Sequence, residues 1–255
     1  MIDPNFRARL LTGEPLLGVF VNVESPTIAE VLAVAGMDFL MIDGEHSPIG
    51  PAEAVEMIRA AETRRIPVLS RVGENTQQVM AKYLDAGVLG IMTPLVSTRE
   101  DARRAVDSVK YPPLGKRGLA GVRANDFETP PDYVAKANAA TIVVAQIETR
   151  TGVERADEII ATEGVDVVFL GPSDLSVALG VPGETKHPTV LDTIASLTEK
   201  IVAAGKAAGT IARTPDDVGY WRERGVQVFL TSTSALLLGS AREYLKGARA
   251  AAQTP

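Results

Sequence analysis

Short, almost uninterrupted apolar runs recur along the chain, separated by stretches whose apolar residues fall at helical spacing. Eight runs read as strands, at 16–23, 38–43, 67–72, 90–96, 141–148, 165–171, 207–212 and 226–231. Continuous apolar strands, rather than alternating ones, are what a parallel sheet buried on both faces requires. The stretches between them carry helix start and stop signals. Ser25-Pro26 places a capping hydroxyl before a proline at the first helical position, and Asn75-Thr76 and Ser97-Thr98 are similar caps. Thr214-Pro215-Asp216-Asp217 puts two acids in a first turn, where the helix dipole favours them. Gly36, Gly87, Gly164 and Gly225 each stand between a helical stretch and the next strand, as helix-terminating glycines do.

A short pattern repeats before strands: Ala35-Gly36-Met37-Asp38, Ala86-Gly87-Val88-Leu89 and Glu163-Gly164-Val165-Asp166. Eight strand–helix units in 255 residues close most naturally as one (β/α)8 barrel, TIM-barrel type, occupying residues 1–255 as a single domain. A doubly wound open sheet is the competitor. It calls for a glycine-rich loop after the first strand, and Asn22-Val23-Glu24-Ser25-Pro26 is not one.

Composition narrows the class. Hydrophobic residues make up 45% and aromatics only 5%, so the core is built from Ala, Val, Leu and Ile. The formal net charge is −6 and the basic residues are scattered, which argues against a nucleic-acid partner. No apolar run approaches the roughly 20 residues needed to cross a bilayer, so no membrane partner is expected. The charged first residues lack a signal-peptide core. Cysteine is absent, which excludes disulfides and thiolate metal sites. A cytoplasmic enzyme acting on small molecules is the expectation.

In such barrels the chemistry lies at the C-terminal ends of the strands. Glu148 ends the run 141–148, and Asp174 follows the run 165–171 one strand–helix unit later. Two carboxylates converging on one rim repel unless a cation or a proton lies between them, so the pair reads as a divalent metal site. Oxygen-only ligands favour Mg²⁺ or Mn²⁺ over Zn²⁺, with Co²⁺ as a further candidate. The plain alternative for Asp174 is a cap on the helix after it. Asp43-Gly44-Glu45-His46 follows the second strand, placing a histidine between acids that could orient its ring. Arg71, after a buried Val68-Leu69-Ser70 run, suits an anionic substrate. His187, Arg123 and Arg213 have weaker cases. No lysine ends a strand, which disfavours a Schiff-base mechanism. The segment 110–130 is long, rich in Pro and Gly, and starts on the rim opposite the site, so a subunit contact or a reach across the barrel are both open.

At these residues the chain resembles the HpcH/HpaI aldolase/citrate lyase family, the metal-dependent class II pyruvate aldolases of the 4-hydroxy-2-oxoheptanedioate aldolase type. The resemblance rests on Asp43-Gly44-Glu45-His46, Ser70-Arg71, Gln146-Ile147-Glu148-Thr149 and Gly171-Pro172-Ser173-Asp174-Leu175, and extends over almost the whole chain. It implies a (β/α)8 barrel that cleaves a 4-hydroxy-2-oxo acid to pyruvate and an aldehyde. Glu148 and Asp174 would hold the metal. The backbone of Pro172, Ser173 and Asp174 would bind the pyruvate carboxylate. Arg71 would bind the 2-oxo oxygen, and His46 would act as acid/base, oriented by Asp43, Glu45 or Asp85. A homohexamer is also implied, its C-terminal helix from about residue 234 packing on a neighbouring subunit. Two departures stand out. The segment between Gly118 and Arg123 is plain, and Ser234 stands where the family often has an acid. The rival activities are an acyl-CoA lyase of the citrate or malyl-CoA type, and decarboxylation of oxaloacetate through the same enolate. A barrel that has lost catalysis and serves as a binding protein is the alternative of another class.

Overall fold

Eight parallel strands pair in sequence order and close on themselves in the computed structural model, which describes residues 4–253. They are β1 (Leu16–Val21), β2 (Phe39–Asp43), β3 (Val68–Arg71), β4 (Gly90–Thr93), β5 (Ile142–Ile147), β6 (Val167–Leu170), β7 (Ala207–Ile211) and β8 (Val228–Ser232). Closure comes from β1 against β8, with Leu16 opposite Val228 and Phe20 opposite Ser232. The expected strands are all present. Most are trimmed by one to three residues at one or both ends, and β8 begins two residues later and ends one residue later than expected.

Alternate residues divide the apolar side chains between two cores. Leu16, Phe20, Met41, Leu69, Val144, Phe169 and Leu230 fill the barrel, whereas Val19, Leu40, Ile42, Val68, Val143 and Val168 face the helices. Helices α2 (Pro26–Val34), α3 (Pro51–Thr63), α4 (Gln77–Ala86), α5 (Arg99–Val109) and α6 (Tyr133–Ala140) cover the first half. The second half has α7 (Arg150–Glu154), α8 (Ala156–Ile160), α9 (Pro172–Ala178), α10 (Pro188–Ala203), α11 (Pro215–Arg222) and α12 (Thr233–Ala252). Ser25 accepts from the Ile28 N–H, and Thr98 and Thr214 each make a reciprocal capping box, whereas Thr76 stands at the N-cap of α4 without a side-chain capping bond. His187 caps α10, its Nδ1 accepting from the Thr189 N–H at 3.2 Å.

The first helix, α1 (Pro4–Leu11), closes the floor of the barrel. Phe6 and Leu10 join the inner core, and the Phe6 ring lies 5.6 Å from that of Phe39. The repeated Gly-x-Asp pattern finds its meaning here. Asp38 and Asp166 sit at the starts of β2 and β6, and each accepts a backbone N–H of the preceding strand, from Leu17 and Val143 respectively. Each also pairs with an arginine of α1: Arg9 to Asp38 at 2.8 Å and Arg7 to Asp166 at 2.6 Å.

The 110–130 segment neither reaches over the mouth nor hangs free. Arg117 is buried, its guanidinium 4.7 Å from the Tyr111 ring and 2.9 Å from Asp85 of α4. Arg123 begins a single 3-10 turn and bonds Glu62 of α3 and the Ala86 carbonyl at the end of α4. The segment is therefore fastened to the outer helices by cations that look like surface residues in the sequence.

Lys110 is buried with its ammonium against the carbonyls of Asn138 and Thr141, and burial pushes its pKa down to about 8. Below pH 8 the folded protein carries a charge that the unfolded chain hydrates better. That cost fades as pH rises from 8 towards the ordinary lysine value, because there the unfolded state binds more protons. Wild type should thus gain stability relative to Lys110→Met across that interval, by up to about 3 kcal/mol. Denaturant unfolding of both proteins at pH 7.5 and 10 reads this, and parallel pH profiles would refute it.

α12 stands apart from the rest. It touches the barrel near β1 and β8, yet from Leu237 to Gln253 every residue is exposed. Leu237, Leu238, Tyr244 and Leu245 are among them. No helix among the described residues is long and apolar enough to cross a membrane.

Candidate active site

The mouth of the barrel carries a cavity of about 350 Å³, whose lining includes Asp43, His46, Arg71, Gln146, Gly171 and Asp174. A hydrogen-bond network in it is centred on Asp43, the last residue of β2. The carboxylate accepts the backbone N–H groups of Glu45 and His46 at 3.3 and 3.1 Å, which folds the Asp-Gly-Glu-His segment into a tight turn. Gly44 is needed within it. A Cβ there would lie 2.5 Å from the Tyr83 hydroxyl and 2.8 Å from the Arg71 carbonyl.

The same carboxylate grips Arg71 from the end of β3. Arg71 Nε donates to Asp43 Oδ1 at 3.0 Å, and Nη2 donates to Oδ1 and Oδ2 at 2.8 Å each. The guanidinium also lies 4.4 Å from the centre of the Phe20 ring, while Nη1 approaches Glu45 Oε2 at 3.2 Å. Fork, ring and carboxylate together hold it in one orientation, and only the Nη1 protons are free of Asp43.

Glu45 lies between Arg71 and the His46 ring, with Oε2 3.8 Å from Nε2. Its burial raises the Glu45 pKa, Arg71 and His46 oppose the rise, and Asp43 and Asp174 add to it. Of the three acids considered for orienting His46, Glu45 is the one whose carboxylate faces the ring. Asp43 meets only the His46 backbone and is otherwise committed to Arg71. Asp85 requires a correction: it is held by Arg117 on the outside of the barrel and makes no pairing with His46.

Glu148 follows the last residue of β5 and is 3% exposed. Oε1 accepts the Leu95 N–H at 2.9 Å, and Oε2 accepts from Gln146 Nε2. Burial pushes its pKa up to about 7. Leu95 opposes the rise, Asp174 and Glu45 reinforce it, and Arg71 opposes it. Leu95 aims its N–H by adopting a left-handed backbone, φ 55°, which a branched side chain takes at a cost of about 1 kcal/mol or more. Nothing in the sequence around Leu95 signals this contribution. The sequence places Gln146 at a strand end without assigning it a role; its place in the Gln-Ile-Glu run puts it one inward position below Glu148.

Asp174 lies in the first turn of α9, exposed at the cavity. The cap of α9 is Gly171, and no hydrogen bond or ion pair occupies the Asp174 carboxylate among the described residues. The capping explanation is thus not realised. Gly171 matters for another reason: a Cβ there would stand 2.9 Å from Glu148 Oε2, closing the space beside the carboxylate.

These features fit a hard divalent cation. The donors are oxygens, one carboxylate is free, and the other is destabilised by burial and by its acidic neighbours. Among the described residues no cluster of three or more His, Cys, Asp or Glu could hold an ion. Two carboxylates with the remaining positions left to water and substrate suit Mg²⁺ or Mn²⁺.

Residues 16–235 match the HpcH/HpaI aldolase/citrate lyase family. The chain belongs to that family. Membership makes it a carbon–carbon lyase by family, built on the closed barrel just described. It is 39% identical to the 5-keto-4-deoxy-D-glucarate aldolase of Salmonella paratyphi C (strain RKS4594) over 226 residues, 88% of each chain. Among solved structures it is similar to an HpcH/HpaI aldolase/citrate lyase family protein from Burkholderia cenocepacia J2315. That match has TM-score 0.92 and 35% identity, covering 97% of this chain and 100% of the other. The citrate synthase SbnG is similar with TM-score 0.85 and 32% identity, covering 97% of this chain and 96% of the other.

Proposed function

We propose that this family member is a divalent-metal-dependent aldolase that reversibly cleaves a 4-hydroxy-2-oxo acid into pyruvate and an aldehyde. The observation that carries the reading is the juxtaposition of a buried Glu148 with an uncommitted Asp174 beside an oriented Arg71. Glu148 and Asp174 would hold Mg²⁺, Mn²⁺ or Co²⁺, which when bound supplies positive charge for the enolate. The remaining chemistry belongs to the chain.

The N–H groups of Ser173 and Asp174 lie in the first turn of α9, where no helical acceptor exists, and would receive the pyruvate carboxylate. Pro172 begins that turn. Arg71 would direct its Nη1 protons at the C2 oxygen, where negative charge develops. That interaction is stronger in the transition state than in the ground state. Because Asp43 and Phe20 already hold the guanidinium, little reorganisation is needed at the moment of reaction. His46, an exposed residue lining the cavity and faced by Glu45, would take the 4-hydroxyl proton. The C3–C4 bond then breaks, its electron pair moves to give the enolate, and C4 leaves as the aldehyde carbon. Protonation at C3 completes pyruvate. Adding an aldehyde instead runs the sequence backwards.

The test is direct. With Mg²⁺ or Mn²⁺ the purified protein should release pyruvate from 4-hydroxy-2-oxo acids, and exhaustive EDTA treatment should abolish the release until metal is restored. Full activity after chelation would refute the reading. Oxaloacetate and CoA thioesters belong in the same assay, because faster turnover of either would transfer the assignment to a rival lyase.

α12 fits the same picture. A 20-residue helix that leaves Leu237, Leu238, Tyr244 and Leu245 in water depends on packing for its stability. We assign its exposed face to a neighbouring copy within a homo-oligomer, the hexamer that the family resemblance implies.

A further inference from the structure

The loop between β2 and α3 carries Glu45 and His46, and the His46 side chain itself is held by very little. Its ring is exposed, and among the described residues its one polar partner is Glu45, 3.8 Å away. The place of the ring is therefore inherited from the backbone of residues 44–50. That stretch has no helix or strand ladder of its own, so its buried backbone groups must find partners elsewhere.

The partners are local except at two points. Asp43 accepts the Glu45 and His46 N–H groups through its carboxylate and Ser47 Oγ through its carbonyl, and Ser47 Oγ in turn accepts the Ile49 N–H at 3.3 Å. The Gly50 N–H donates to Glu53 Oε2 at 3.0 Å, at the start of α3. The first longer reach is from the Gly44 N–H to the Arg71 carbonyl at 2.8 Å. The second comes from α4, where the Tyr83 hydroxyl donates to the Ile49 carbonyl at 3.0 Å. The same hydroxyl lies against Gly44, 2.5 Å from where a Cβ would stand. One phenol thus touches both ends of the loop.

We propose that Tyr83 is a positioning residue for the cleavage step: its hydroxyl, bonded to the Ile49 carbonyl and seated against Gly44, sets the height at which the loop presents His46 and Glu45 to the cavity. The inference rests on the aldolase reading above and adds to it a residue that does not line the cavity.

Packing alone does not account for a tyrosine here. Met80 and Leu84, beside it on α4, are equally buried and wholly apolar, and phenylalanine would fill the same volume. At 4% exposure the hydroxyl has exchanged water for a protein acceptor, and that acceptor is a loop carbonyl that no ladder satisfies. Burial, with Glu53 and Asp43 adding to it, raises the Tyr83 pKa, so the phenol keeps its proton and remains a donor.

The post that holds the loop is itself fixed. Helical side chains lean towards the N-terminal end of their helix, which lets a residue in the last turn of α4 reach a loop at the mouth. α4 is tied to the 110–130 segment at three places, Gln77 to the Lys116 carbonyl, Asp85 to Arg117, and the Ala86 carbonyl to Arg123, each at 2.9 Å.

The experiment is Tyr83→Phe, which keeps the ring and deletes the bond. With Mn²⁺ present, kcat for pyruvate release from a 4-hydroxy-2-oxo acid should fall about 10- to 100-fold, the cost of a misplaced proton acceptor. Affinity for pyruvate should stay within about twofold of wild type, because Arg71 and the first turn of α9 are untouched. In His46→Ala, whose own loss should be about 100-fold or more, adding Tyr83→Phe should cost little further. Amide hydrogen exchange should quicken in residues 44–50 and not in the rest of the barrel. An unchanged kcat, an equal loss of pyruvate affinity, or the same loss repeated in the His46→Ala background would overturn the proposal. So would exchange that quickens throughout the barrel, which would make Tyr83 a packing residue only. A wild type that releases no pyruvate from any 4-hydroxy-2-oxo acid sinks the aldolase reading and this proposal together, whereas an active wild type with any of those results sinks the proposal alone.

Discussion

Glu148→Gln should lower cleavage by about a thousandfold and remove measurable binding of Mn²⁺, with the fold intact. The amide is nearly the same size, so the Leu95 N–H can still be accepted at one side and the space beside Gly171 is kept. What disappears is negative charge in a place where burial makes charge expensive. On the proposed reading, a cation shared with Asp174 would offset that expense in wild type. The variant has no such use for the cavity, and its unfolding temperature should equal or exceed that of wild type. Titration calorimetry with Mn²⁺ and pyruvate-release kinetics measure the two effects together. Retention of Mn²⁺ at wild-type affinity would show that the ion, if any, sits elsewhere.

The second large effect is expected at Asp43, a residue that touches no reacting atom. Asp43→Ala removes the partner of a buried guanidinium, leaves Arg71 beside Glu45 alone, and opens the turn that carries His46. Breaking a buried pair of this type costs about 3–5 kcal/mol, and a lowering of the unfolding temperature by roughly 10 °C follows for a chain of this size. Turnover should fall by at least about a hundredfold because the Nη1 protons of Arg71 lose their aim. Asp43→Asn keeps one oxygen for the turn and one for Arg71, so its losses should be markedly smaller. Equal stability and turnover in Asp43→Ala would mean that Arg71 is positioned by Phe20 and Glu45 without help.

These expectations show which parts of the molecule could be read from the chain. The barrel was legible because unbroken apolar strands and glycine-stopped helices recur with one rhythm, and each recurrence is a local signal. The acids at the mouth were legible for the same reason, since a strand end has a known height on a known rim. Pairings between distant positions were not. Asp43 looked like a partner for His46, three residues away, whereas its carboxylate is spent on Arg71, 28 residues away. Asp85 looked available and is held by Arg117 across the outer surface. Leu95 could not be recognised at all, because its contribution is a backbone N–H turned by an unusual dihedral angle, and any side chain could have supplied it. The Gly-x-Asp repeat was visible as spelling, yet its meaning needed α1 to bring Arg7 and Arg9 to it.

Phe6 and Leu10, wedged beneath the strands, make the barrel a cup rather than a pipe. Reactants must therefore come and go through one opening, and whichever fragment sits deeper has to wait for the other to clear. On the proposed reading, in which the bond breaks between an inner three-carbon piece and an outer carbonyl piece, the aldehyde would leave first and pyruvate last.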